Sequence, residues 1–81
     1  MTLEELVGAA DHEVWFQVID LDGKKHLFWT ADIFGGHTPT LKEFEPLEDL
    51  ECDDFILILG TDPERGKRVP MVRVELMEPM E

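Results

Sequence analysis

Eighty-one residues carrying 19 acidic and 7 basic side chains, a formal charge of −12 and a hydrophobic fraction of 43% describe one small globular domain and exclude a disordered acidic tail. That charge repels nucleic-acid backbone and anionic lipid while attracting basic surfaces, so direct DNA or RNA binding and membrane-surface binding are set aside. The lone cysteine, Cys52, excludes an internal disulfide framework and points to a reducing cytoplasm. The start Met1-Thr2-Leu3-Glu4-Glu5 does not read as a signal peptide, and no apolar run approaches the roughly 20 residues of a membrane helix.

Taken in chain order, Thr2-Leu3-Glu4-Glu5 is a capping-box sequence and Leu3, Leu6, Val7 and Ala10 share one helical face, which predicts a short helix over residues 2–10. Residues 13–31 read as a β-hairpin around Asp22-Gly23, a dipeptide suited to a two-residue type I′ turn. That turn pairs Val18 with Leu27, Phe16 with Trp29 and Val14 with Ala31 as the core face. The opposite face then holds Trp15, Gln17 and Ile19 beside Thr30, Phe28 and His26. Such a face is too apolar to be simply solvated, so a helix is expected to cover it, and Trp15 and Phe28 become anchors for a partner only where it is open.

Gly35-Gly36 and Pro39 mark a loop over residues 32–40. A second capping box, Thr40-Leu41-Lys42-Glu43, opens a broken helix over about 40–51. In it Leu41, Phe44, Leu47 and Leu50 recur every three residues, a spacing suited to tight 3₁₀-like turns, and Pro46 restarts the helix. Phe55-Ile56-Leu57-Ile58-Leu59 is apolar at every position, the pattern of a strand buried on both faces and so central in its sheet. Residues 69–77 alternate as a half-buried strand whose start Pro70 places at an edge. The predicted fold is α+β: one four-stranded antiparallel sheet of two hairpins, in the order α-β-β-α-β-β, with two short helices.

No catalytic, cofactor or metal motif accompanies these elements. Asp20-Leu21-Asp22-Gly23 resembles the middle of a calcium loop, but Val18 and Trp29 stand where its first and last ligands belong. His12, His26 and His37 are scattered without zinc-site spacing and read as surface or turn residues. Acidic neighbours disfavour a Cys52 thiolate, leaving a passive, partly buried thiol. Gly35-Gly36-His37-Thr38 lacks the lysine and the strand-to-helix setting of a phosphate cradle. Arg65, Lys67 and Arg68 form the only basic cluster and read as solvated loop charges, or as a tip able to dock on acid, including that of a second copy.

The most distinctive feature is Glu43, Glu45, Glu48, Asp49, Glu51, Asp53 and Asp54, seven carboxylates within twelve residues and no base among them. Along a helix they would fall one per roughly 2.6 Å of axis, comparable with one phosphate per about 1.7 Å in duplex DNA. The expectation is a non-enzymatic, cytoplasmic protein-binding domain without cofactor. It would mimic nucleic-acid charge through these seven residues, helped by Glu4, Glu5, Asp11 and Glu13, and block the basic groove of a nucleic-acid-binding protein. This has the character of phage anti-defence inhibitors and of bacteriocin or toxin immunity proteins, though no motif ties the chain to one family. The alternative is a structural or assembly subunit, a homodimer for instance, that oligomerises through an apolar sheet face.

Overall fold

The computed structural model describes residues 1–10 and 12–78; Asp11, one of the expected accessory carboxylates, lies outside them. Helix α1 (Leu3–Gly8) is followed by β1 (Trp15–Ile19), β2 (Lys25–Trp29), α2 (Thr30–Phe34), α3 (Thr38–Phe44), β3 (Glu51–Thr61) and β4 (Arg68–Met77). The α+β class and the four strands are as expected, but the sheet is mixed. Its order is β2-β1-β4-β3, with β1 and β4 parallel and the other pairs antiparallel.

The first capping box forms as read. Thr2 accepts a hydrogen bond from the Glu5 backbone at 3.2 Å, and Glu5 accepts one from the Thr2 backbone at 3.0 Å, satisfying donors that a helix start leaves free. The Leu3 and Glu4 amides donate to the carbonyls of Leu50 and Glu48, which ties α1 to the segment before β3.

The first hairpin forms with a different turn, and the difference reverses β2. Only Gly23 has a positive φ there, 82°, so Leu21-Asp22-Gly23 is a three-residue loop and not a type I′ pair. Asp20 selects it: its Oδ1 accepts from the backbones of Asp22 and Lys24, both at 2.9 Å. The register therefore pairs Phe16 with Phe28 and Val18 with His26. One residue of slip exchanges the faces of a strand, so Phe28 and His26 enter the core while Trp29 and Leu27 take the other side.

All three helices lie on one face of the sheet. Leu3, Val7 and Phe44 pack there against Phe16, Val18, Phe28, Val74 and Leu76, with Leu6, Ile33, Leu47 and Leu50 around them. Fully burying Phe28 stabilises by roughly 1.5–3 kcal/mol. Residues 30–34, read in part as strand and loop, instead form α2. The expected helix over 40–51 begins earlier, at Thr38, and ends at Phe44. Pro46 does not restart it; residues 44–50 form i→i+3 turns such as Leu47 N–H to Phe44 C=O at 2.9 Å, in keeping with the three-residue spacing.

The second hairpin inverts the expected roles of its strands. Arg68–Met77 is central, between β1 and β3, and the apolar strand expected at the centre is an edge. Pro70 is accommodated because β1 pairs with β4 only from Met71 onward. Met71 lies across β3 on the open face. A side chain at Gly60 would begin 2.5 Å from the Met71 sulfur, so any larger residue there requires the buried Met71 side chain to move.

Candidate functional site

The outer edge of the sheet is β3, eleven residues long and paired with β4 on one side. On its other side Thr2 bridges to Glu51 and the Cys52 amide donates to the Met1 carbonyl at 2.8 Å, and from Asp53 onward no described residue pairs with it there. Its first part is well defended. Glu51, Asp53 and Asp54 carry charge, and a β-bulge between Cys52 and Asp54 interrupts the ladder, both ordinary means of blunting an edge. Its second part has no such defence. Phe55 is 53% exposed, Ile56 52%, Leu57 74% and Leu59 62%.

Register explains the exposure. Phe55, Leu57 and Leu59 oppose Val74, Val72 and Pro70 on the helix-covered side, whereas Ile56 and Ile58 oppose Arg73 and Met71 on the open side. Helix α1 stops short of β3 at this point. A groove of about 360 Å³ remains between them, lined by Leu6, Ala10, Val14, Phe16, Phe55 and Val72. At the far end of β3, the Arg68 guanidinium donates to the Leu59 carbonyl at 3.3 Å, fixing a cation beside the apolar run.

The seven carboxylates do not form a ladder on one helix. Glu43 closes α3 and is engaged with His26, Glu45, Glu48 and Asp49 lie in the following turns, and Glu51, Asp53 and Asp54 alternate along β3. Glu51 takes the Met1 ammonium at 2.7 Å. The carboxylates of Glu4, Glu48 and Asp49 converge to within 4.8 Å of one another. Partial burial, then Glu4, Asp49 and Glu45, push the Glu48 carboxyl above its ordinary range. This cluster stands at the N-terminal end of α1, where the helix dipole favours negative charge, and not at a helix C-terminus as the predicted helix required.

The expected apolar anchors are not open surface. Phe28 is fully buried in the core, and Trp15 is buried on the opposite face beside Trp29, ring centroids 5.2 Å apart. A hollow of about 470 Å³ next to this pair is bounded by Glu13, Asp62, Arg65 and Pro70.

His26, read as a surface or turn residue, is buried between two acids. Its Nε2 is 2.8 Å from Asp20 and its Nδ1 2.7 Å from Glu43. Burial acts to lower its pKa, but the two hydrogen bonds and the charges of Glu43 and Asp20 outweigh it and raise the net value. The bond to His26, then those from the Lys24 and Asp22 backbones, hold the Asp20 carboxyl below its usual range. Two carboxylates on the two ring nitrogens favour the protonated imidazole, and through it the first hairpin is joined to α3. The sequence signal was Asp20 itself, two residues before an Asp-Gly turn and able to select the longer loop. Cys52 is half-buried, and burial foremost pushes its thiol up. Among the described residues no helix is long and apolar enough to cross a membrane.

Comparison with protein-family models, curated proteins and solved structures finds no match to this chain.

Proposed function

We propose that this chain is a non-enzymatic protein-binding domain that works by assembly, and that the unpaired edge of β3 is its binding element. One observation carries the reading: a run with the pattern of a strand buried on both faces lies at a free edge, with Leu57 74% exposed. Such a sequence makes physical sense if a further strand completes the sheet, since an edge left open would be a hazard of uncontrolled pairing. Strand addition would supply main-chain hydrogen bonds for affinity, and alternating side chains for specificity. A photo-reactive residue at Ile56, in cells that make the protein, should capture a protein that purified components rebind and that Leu57→Lys releases. Equal capture from Phe34, exposed on α2, would defeat the reading.

A second reading is favoured by the convergence of Glu4, Glu48 and Asp49. Repulsion within the cluster would be relieved by a basic partner, consistent with an acidic inhibitor of a nucleic-acid-binding protein of the phage anti-defence or immunity type. Asp49, Asp53 and Asp54 then extend the charge toward β3. Its complex should loosen steeply with salt, and Glu48→Lys with Asp49→Lys should abolish it. A complex through β3 should survive both.

A further inference from the structure

We infer that the strand completing the sheet is β3 of a second copy, paired antiparallel about a two-fold axis at Leu57. The inference rests on the reading of β3 as the binding edge and adds the occupant and its register.

The register follows from the sequence of the strand. A two-fold antiparallel pair has to centre on a residue facing its own copy, because successive residue pairs alternate between hydrogen-bonded and open types. Centred on Leu57, the midpoint of the apolar run, Phe55 faces Leu59 and Ile56 faces Ile58 of the other copy. Opposed residues of antiparallel strands share a face, so all five apolar positions meet apolar ones. Centring on Ile56 would set Asp53 against Leu59, and centring on Ile58 would set Phe55 against Thr61.

Charge favours the same arrangement. In the Leu57-centred pair, Asp53 and Asp54 of one chain lie beside Thr61 and Gly60 of the other, the end where Arg68 is fastened to the Leu59 carbonyl. Each acidic strand start therefore meets, twice, a strand end whose loop carries Arg65, Lys67 and Arg68 against Asp62 and Glu64 and is net positive. A parallel pairing would place acid beside acid and Arg68 beside Arg68. The contact is isologous and closes at two chains, because the remaining edge, β2, is only five residues long and passes directly into α2.

Sedimentation of the full chain should give twice its 9.3 kDa, in high salt as well as low, and Leu57→Lys should return a folded monomer. Register is read by cross-linking on a Cys52→Ala background. Residue pairs across an antiparallel ladder stand about 4.5–5.5 Å apart at Cα, within disulfide range. With oxidised glutathione, Leu57→Cys should join to itself, whereas Leu59→Cys should join only when mixed with Phe55→Cys. Arg68→Glu should weaken the dimer at least several-fold, and adding Asp53→Lys with Asp54→Lys in the same chain should restore it. A monomeric native chain, or a dimer joined at Leu59 alone and not at Leu57, overturns the inference. If the chain is monomeric and the Ile56 probe captures a different protein, the second copy is refuted while β3 remains the binding edge. A monomer with no capture at Ile56 refutes both.

Discussion

The two edges of the sheet meet the same problem in opposite ways. Strand β2 has five residues, opens on Lys25 directly after Lys24 and gives way at Thr30 to α2; its large side chains His26 and Phe28 point into the core. Strand β3 has eleven residues, a bulge and three carboxylates over its first four, and then five consecutive apolar residues of which four are more than half exposed. An edge is thus protected by shortness, charge and what the chain does next, and β3 has those protections over one part only. The undefended part is where, on the proposed reading, another strand would be added.

Substitutions can break this contrast, because equal changes at the two edges should move different observables. Phe28→Ala on β2 should cost about 3–5 kcal/mol by emptying a packed core site, measured by urea unfolding. In a domain whose whole stability is on the order of 5–15 kcal/mol, that leaves little folded protein margin. A smaller loss, about 1.5–3 kcal/mol, is expected for His26→Ala, which removes charge-assisted hydrogen bonds to Asp20 and Glu43.

The pH dependence sharpens the β2 side. The raised pKa of His26 gives stability that is complete below its ordinary 6.5 and lost as pH rises through the folded value. The depressed pKa of Asp20 gives stability present above its ordinary 3.8 and lost as pH falls through the folded value. Urea midpoints measured across pH should therefore be highest between these limits, and His26→Gln should flatten the alkaline decline. A decline unchanged in that variant would remove His26 from the account.

On the β3 side, Leu57→Lys should change monomer stability by no more than about 0.5 kcal/mol, as expected of an exposed position, while eliminating association. The smallest effect belongs to Glu48→Gln, which relieves repulsion from Glu4 and Asp49 and should raise the unfolding midpoint slightly. Loss of association in Leu27→Lys, a change of similar size on β2, would show that the two edges are not distinct.

Much of this architecture is legible in the sequence where local chemistry decides it. The Thr2–Glu5 capping box, the position of both hairpins and the tight turns carrying Phe44, Leu47 and Leu50 follow from short-range patterns. What failed was decided by a single side chain or by tertiary order. The Asp-Gly pair marks a hairpin, but Asp20 holds two backbone amides and lengthens the loop by one residue, which moved Phe28 and His26 inward. The uniform apolarity of residues 55–59 predicts a central strand, whereas β3 is at the edge. Periodicity reports how apolar a strand is, not its place in the sheet order. For the acidic segment, counting charges along a helix overlooked that α3 stops at Phe44, so the carboxylates divide among three local settings.

The parallel pairing of β1 with β4 bears on the order in which the molecule can be made. Each hairpin can close from neighbouring residues, yet the centre of the sheet joins Trp15 to Met71 and Ile19 to Glu75. As the chain leaves the ribosome, β1 has no second neighbour until Met71 to Glu75 emerge, after all of β3, so the two hairpins are pieces awaiting one later seam. Loss of β4 would not trim an edge; it would leave β1–β2 and β3 without the strand that makes them one sheet.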